Sequence, residues 1–184
     1  MTNLKDRAAR DAEIQLAAAL PRRWQHVQAV ALKAERLGSL VGPDADLLTA
    51  AAWLHDIGYA PSLAKTGLHA LDGARWLAKQ GYNMRLAALV AHHSCAQFEA
   101  DERELGKVLE AEFPREVSAT ADALWYADMT TGPDGQELTV KDRLTEIRER
   151  YGPNDPVTRF WERAETTLFE SVQRTELRLA NQPM

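Results

Sequence analysis

Apolar residues recur at helical spacing along almost the entire chain, and this pattern constrains the fold more than any other feature. Stretches rich in alanine and leucine, such as LLTAAAWLHD and MRLAALVAHH, alternate with short segments that contain glycine or proline. No alternation of apolar and polar residues continues long enough to predict a β-strand. With no internal repeat or linker, the 184 residues predict one all-α domain.

Glycine, proline and N-cap residues set the limits of the predicted helices. Pro21 suits a first helical turn, Gly58 and Gly81 end helices, and Asn83 and Thr139 each precede one. The predicted helices span residues 4–19, 21–37, 44–56, 69–80, 84–93, 101–111, 115–129, 140–152 and 155–178.

Charge and cysteine content exclude several classes of protein. The net charge is −5, from 22 basic and 27 acidic residues, and no basic stripe of the kind that binds nucleic acid is present. The single cysteine, Cys95, excludes an intrachain disulfide and a cysteine-rich zinc site. The polar N-terminus and the lack of an apolar run of about 18 residues predict neither a signal peptide nor a membrane partner. We expect a cytoplasmic protein.

The histidines and two aspartates fall mostly near helix ends. A lone histidine on a helix is typical of a surface or core residue, but a carboxylate at a helix C-terminus faces the negative end of the helix dipole. A bound cation would reverse the sign of that interaction. The residues concerned are His26, His55, His69, His92, His93, Asp56 and Asp128.

These residue types together suit a metal centre. Neutral imidazole binds divalent transition metals through one ring nitrogen, and a carboxylate has two oxygens that can bridge two ions. Such a pair of ions activates water and stabilises a phosphoryl group during displacement. The adjacent His55 and Asp56 could therefore serve two ions at once.

The order of these residues resembles the H…HD…D signature of the HD superfamily of metal-dependent phosphohydrolases. The local sequences WQHVQAVALKAERL, AAWLHDIG and LWYADM carry the resemblance, over about residues 20–130. The segments LHALDGARWL and LVAHHS are similar to those that supply extra histidines in the two-metal branch. The resemblance implies a helical bundle with a metal site at helix ends, in which residues 139–184 complete the fold, cover the cleft or form a homodimer surface.

The resemblance also implies a ligand set for one or two divalent ions, with Mn, Fe, Co, Ni, Zn and Mg all open. Either His92 or His93 can ligate in related proteins, and the other then faces the substrate. Asp122 is a rival to Asp128, but six residues turn it to a different helix face. The implied ligands are His26, His55, Asp56 and Asp128 for the first ion, and Asp56, His69 and His92 for the second.

Three residues carry predicted catalytic roles: Asp56, His93 and Lys65. Lys65, Arg23 and His93 are predicted to hold the substrate, although a solvated lysine and a plain salt bridge are the alternatives for Lys65 and Arg23. Many members have a lysine after the doublet, in I-G-K, where this chain has Tyr59, and Lys65 could substitute. The chain also lacks the GYP motif of members that degrade cyclic dinucleotides.

The implied function is hydrolysis of a small phosphomonoester or phosphodiester, with a nucleotide among the candidates, by metal-activated water. One alternative is a two-iron oxygenase that oxidises a small organic substrate with O₂. No tyrosine precedes His26, whereas phosphonate-oxidising relatives carry lid tyrosines there. The other alternative is a non-catalytic binding module, which usually loses ligands that this chain keeps.

Overall fold

The computed structural model describes residues 3–152 and 154–182. Within these ranges the chain forms α-helices and short 3₁₀ turns and no β-strand, which confirms the predicted all-α fold. The α-helices are α1 (Leu4–Leu16), α2 (Pro21–Arg36), α3 (Ala45–Leu54), α4 (His69–Lys79), α5 (Met84–Ala91), α6 (Ala96–Glu102), α7 (Gly106–Glu112), α8 (Ala119–Met129), α9 (Val140–Tyr151) and α10 (Pro156–Ala180).

Two predicted caps are confirmed, and one predicted helix is wrong. The Asn83 side chain accepts a hydrogen bond from the Arg85 amide at 2.7 Å, and Thr139 caps α9 in the same way. The single helix predicted over residues 101–111 is instead the end of α6 and most of α7. Glu104, with a φ of 59°, interrupts it, because this left-handed conformation cannot continue a helix.

Helix α3 is buried on nearly all sides, which explains its almost wholly apolar sequence. Leu48 belongs to the core cluster that α8 and α10 share, and Leu54 belongs to the cluster formed with α1, α4 and α5. Truncating either leucine to alanine is expected to cost about 2–5 kcal/mol. The C-terminal end of α3 is therefore held rigidly between two cores.

Two glycines bring the start of α4 against the turn that follows α3. A Cβ atom on Gly58 would lie 1.9 Å from the His69 carbonyl oxygen and 2.7 Å from the Gly73 amide nitrogen. Only glycine permits this approach of two backbones. The contact sets the position of His69 relative to the residues at the end of α3.

Helix α10 is the longest element and packs against α6, α8 and α9. Its Arg174 donates to Asp122 of α8 at 2.6 and 2.9 Å, and Arg178 donates to the same carboxylate at 2.8 Å. Asp122 thus links α8 to α10. None of the described helices combines the length and the apolar character needed to cross a membrane.

Candidate metal centre

Six side chains from five segments of the chain converge at one end of the bundle. His55 and Asp56 follow directly on α3, where the buried helix fixes their direction. The others lie in α2, at the first residue of α4, just after α5 and in the last turn of α8: His26, His69, His93 and Asp128.

The first group of donor atoms surrounds one oxygen of Asp56. Its Oδ2 lies 3.4 Å from His55 Nε2 and 4.0 Å from His26 Nε2. Asp128 closes the group, with Oδ1 at 3.0 Å from His26 Nε2 and 3.7 Å from His55 Nε2. Two imidazoles and two carboxylates therefore face one small volume.

The second group surrounds the other oxygen of the same carboxylate. Asp56 Oδ1 lies 3.6 Å from His69 Nε2 and 3.8 Å from His93 Nε2. In each group, one donor atom from each of the two histidines and from Asp56 lies within 4.8 Å of the others. Asp56 thus has the position of a bridging ligand, because each of its oxygens faces a different pair of histidines.

Backbone carbonyls orient three of the four imidazoles. A carbonyl can only accept, so the bonded Nδ1 carries a proton and Nε2 is the ring nitrogen that faces the cluster. The bonds join His26 Nδ1 to Gly132 O at 2.9 Å, His55 Nδ1 to Ala52 O at 2.7 Å and His93 Nδ1 to Val90 O at 2.6 Å.

The donor atoms fit divalent ions better than they fit one another. His55 Nε2 is fully buried and has no hydrogen-bond partner in the described part of the chain. Its separations of 3.4 and 3.7 Å from the two carboxylates exceed an ordinary hydrogen bond. Two ligands that each lie about 2.1 Å from one ion are about 3.0–3.4 Å apart. An ion in the first group would therefore give His55 Nε2 the partner that it lacks among the described residues.

Both carboxylates of the cluster are held in the ionised form. Burial opposes ionisation of Asp56, but the Arg23 guanidinium and then His55 hold its pKa well below the usual range. Burial likewise opposes ionisation of Asp128, and His55 and His26 lower its pKa. The cluster thus offers charged oxygen ligands to a cation.

The imidazoles divide into two environments. Burial would lower the pKa of His55, but Asp56 and Asp128 outweigh it and raise the pKa to about 9. For His69, burial and then its neighbour His93 hold the pKa well below the ordinary value. Burial also lowers the pKa of His93. The first group therefore favours positive charge at His55, and the second offers neutral imidazoles, the form that binds metal.

Arg23 and Tyr59 form the rim of the cluster. Arg23 donates from Nη1 to Asp56 Oδ2, and its guanidinium lies 3.6 Å above the centre of the Tyr59 ring. Tyr59 stacks in turn on His69, with ring centres 4.0 Å apart. Tyr59, at the position where related proteins carry a lysine, thus supports a cation supplied by α2 instead.

The cluster opens into a cavity of about 400 Å³. Arg22 and Arg23 line it on the α2 side, and the remaining wall comes largely from α9 and α10. The residues that these two helices contribute are Arg143, Ile147, Arg150, Tyr151, Val157, Phe160 and Trp161. The sequence analysis left the location of residues 139–184 open. Part of this segment lies beside the candidate metal centre.

His92, predicted as a ligand, lies outside the cluster. Its Nε2 is 2.8 Å from the Phe113 carbonyl oxygen, so the ring points toward α7. The chain leaves α5 at Ala91, and Ser94 and Cys95 both adopt left-handed conformations, with φ of 45° and 64°. The His93 ring, by contrast, is held by the bond from its Nδ1 to the Val90 carbonyl and faces the cluster. His93 therefore lies among the candidate metal ligands, and His92 does not.

Lys65, predicted to meet the substrate, also lies outside the cavity. Its backbone N–H donates to Asp72 Oδ2 at 2.8 Å, and its side chain is exposed. The residue borders a separate depression near Trp76 and Phe113. Arg23 is the predicted substrate-binding cation that the fold does place at the cluster.

Glu99 of α6 is a site residue that the sequence analysis missed. It is 6% exposed, lines the cavity, and places Oε2 4.0 Å from His69 Nδ1. Arg103 holds it with a 2.9 Å hydrogen bond, while burial raises the pKa of the carboxyl. Ser94 was missed too, and its hydroxyl donates to Asp128 Oδ2. No sequence signal sets either residue apart from an ordinary polar side chain.

Comparison with known proteins gives one match. A model of the family described as HD domain matches residues 23–147, which include every residue of the cluster. Helix α10 lies beyond the matched region. No curated protein and no solved structure matches the chain.

Proposed function

The chain belongs to the HD-domain family, a superfamily of metal-dependent phosphohydrolases, and we propose that it hydrolyses a small phosphomonoester or phosphodiester. The observation that carries the proposal is the position of Asp56. Its two oxygens face two separate pairs of histidines, and a cavity lined by Arg22 and Arg23 opens directly beside it. HD domains bind divalent metals, and this cluster could hold them.

Each ion would have its own ligands, with Asp56 shared. Bound divalent ions supply a Lewis acid that activates water and neutralises phosphoryl charge. The proposed ligands are His26, His55, Asp56 and Asp128 for one ion, and Asp56, His69 and His93 for the other.

The chain's own residues position the substrate. The Arg23 guanidinium presents a planar set of donors that suits phosphoryl oxygens, and the Tyr59 ring beneath it limits its movement. The carbonyl bonds to Nδ1 of three histidines fix the direction of each ring before any ligand arrives. Burial of the cluster removes bulk water from the reacting group, which strengthens these charge interactions.

The proposal is tested by measuring phosphate or alcohol release from a panel of phosphoesters after metal removal and reconstitution. The protein is freed of metal with a chelator and reloaded separately with each of the six candidate metals. Activity is expected to require reconstitution and to disappear in Asp56→Ala, with helical content retained. The matched control is Asp46→Ala, which removes an exposed carboxylate at the opposite end of α3 and should keep activity.

Two results would contradict the proposal. One is full activity in Asp56→Ala. The other is a protein that binds metal yet releases product from no phosphoester, above all an iron-loaded form that consumes O₂ instead.

A further inference from the structure

Part of the cavity wall is apolar and comes from helices at the end of the chain. Ile147 of α9 and Val157, Phe160 and Trp161 of α10 line it. The three α10 residues lie beyond the region that matches the HD-domain family, so they are features of this chain. A phosphoryl group needs none of them, since the arginines and metal ligands already supply its partners.

Two adjacent aromatic side chains form part of the apolar wall. The rings of Phe160 and Trp161 have centres 4.7 Å apart and are inclined by 37°, and both belong to the core that α8 and α10 share. The core therefore holds them in place. Rigid aromatic side chains favour flat, apolar ligands.

Arg143 adds a second, independent sign of a ligand. The residue is 7% exposed and lines the cavity, and its Nη1 pairs with Glu146. Its Nε is buried and has no hydrogen-bond partner within residues 3–152 and 154–182. A buried donor without an acceptor is costly, and a guanidinium plane also stacks well on a flat ring.

We propose that Phe160 and Trp161, with Ile147 and Arg143, form a leaving-group subsite that selects phosphoesters of flat, largely apolar alcohols over those of polyols. The inference rests on the proposed function, because it places the phosphoryl group at the metal cluster. A cavity of about 400 Å³ lies in the range of small-molecule sites and extends well beyond what a phosphoryl group fills. Hydroxyls of a polyol buried against Ile147, Val157 and Phe160 would have no partner in those side chains.

The test uses phosphonates, which cannot be hydrolysed at the P–C bond, so that binding is measured apart from turnover. Metal-loaded protein is titrated by calorimetry with methylphosphonate, phenylphosphonate and the polyol analogue 3,4-dihydroxybutylphosphonate. Phenylphosphonate is expected to bind about tenfold or more tightly than the other two, from the additional apolar area buried. Equal binding of all three, tighter binding of the polyol analogue, or no binding of any would overturn the subsite.

Variants of α10 separate recognition from folding. Trp161→Ala is expected to reduce the phenyl preference to less than about threefold, and Trp161→Phe to retain most of it. The control Leu168→Ala truncates a fully buried residue of the same helix and core that does not line the cavity, so the preference should survive. If Trp161→Ala does not fold, Trp161→Gln or Phe160→Leu replaces it, and loss of the phenyl preference in either variant supports the subsite. An unchanged preference in every variant that folds overturns the assignment.

The two proposals fail in different ways. A phenyl preference that depends on Trp161, in a protein that hydrolyses no phosphoester, would contradict the proposed function and leave the subsite in place. Hydrolysis of phosphoesters without any preference among the three phosphonates would contradict the subsite and leave the proposed function in place.

Discussion

The Nε2 atoms of His69 and His93 lie 3.2 Å apart. Because His93 donates its Nδ1 proton to the Val90 carbonyl, its Nε2 presents a lone pair to the other ring. Burial lowers the pKa of both imidazoles, so both rings favour the neutral form, which is the form that binds metal. A divalent cation bound by both nitrogens and by Asp56 Oδ1 resolves the contact.

Removing His69 should eliminate one ion and leave the other. His69→Ala is expected to reduce the metal content from about two ions per chain to about one, since the first group shares only Asp56 with it. Elemental analysis of the purified variant, with total protein determined independently, gives the ratio. A variant that still holds two ions would show that His69 is no ligand.

Replacing His92 should leave metal binding unchanged. His92→Ala removes the hydrogen bond to the Phe113 carbonyl and is expected to cost about 1–3 kcal/mol of stability. Its metal content should equal that of the wild type. Thermal melts measure the loss of stability, and elemental analysis measures the metal content. Loss of an ion here, with normal content in His93→Ala, would restore His92 as the ligand.

Glu99 is expected to act on the second ion through His69. Glu99→Gln removes the charge near His69 Nδ1 and should weaken binding of the second ion by about 10–100-fold, as measured by metal titration. Glu102→Gln, which alters a carboxylate of the same helix that pairs with Arg163, is the control and should not change the affinity. Equal affinities in both variants would remove Glu99 from the centre.

Arg23 and Lys65 should differ sharply in kinetic assays. Arg23→Gln is expected to raise KM for a phosphoester by about 10–100-fold, because it removes a cation that lines the cavity. Lys65→Gln should change KM by less than about twofold, because the side chain lies outside the cavity. The opposite ranking would show that the loop around Lys65 closes over the substrate.

Acid should remove the stabilising contribution of Asp122. Burial opposes its ionisation, but the hydrogen bonds from Arg174, Arg178 and Ser171 prevail and lower the pKa of the carboxyl. The native state thus binds this proton less readily than the unfolded state, where the pKa is about 3.9. The stabilisation is full above that value and is lost as the pH falls through the native pKa.

We therefore expect Asp122→Asn to be about 1–3 kcal/mol less stable than the wild type near pH 7, with the difference shrinking below about pH 4. Urea denaturation at a series of pH values measures it. Glu35→Gln, which breaks an exposed pair with Lys5, should cost less than about 1 kcal/mol. A difference for Asp122→Asn that persists undiminished to about pH 2 would exclude the ionised carboxylate as its cause.

The sequence was sufficient to predict the helices and most of the cluster, because both depend on local patterns. Helical periodicity and caps such as Asn83 depend on neighbours in the chain, and the spacing of His55 and Asp56 places them at a helix end. Bringing His69 close required Gly58 to meet Gly73, a tertiary contact that the sequence does not announce.

The two predicted residues that lie away from the cluster share a physical feature. The direction of the His92 ring depends on its bond to the Phe113 carbonyl, which is 21 residues away and follows α7. Excluding Lys65 depends on Asp72, which holds the loop by its backbone amides. In both cases a conformation imposed by distant packing decides where a side chain points.

The most direct test of the two-ion centre is the metal content of protein purified without chelators and kept anaerobic, compared with that of Asp56→Ala. We expect about two ions per chain in the wild type and essentially none in the variant, because Asp56 belongs to both groups of candidate ligands. At most one ion in fully reconstituted wild type, or two ions retained by Asp56→Ala, would contradict it.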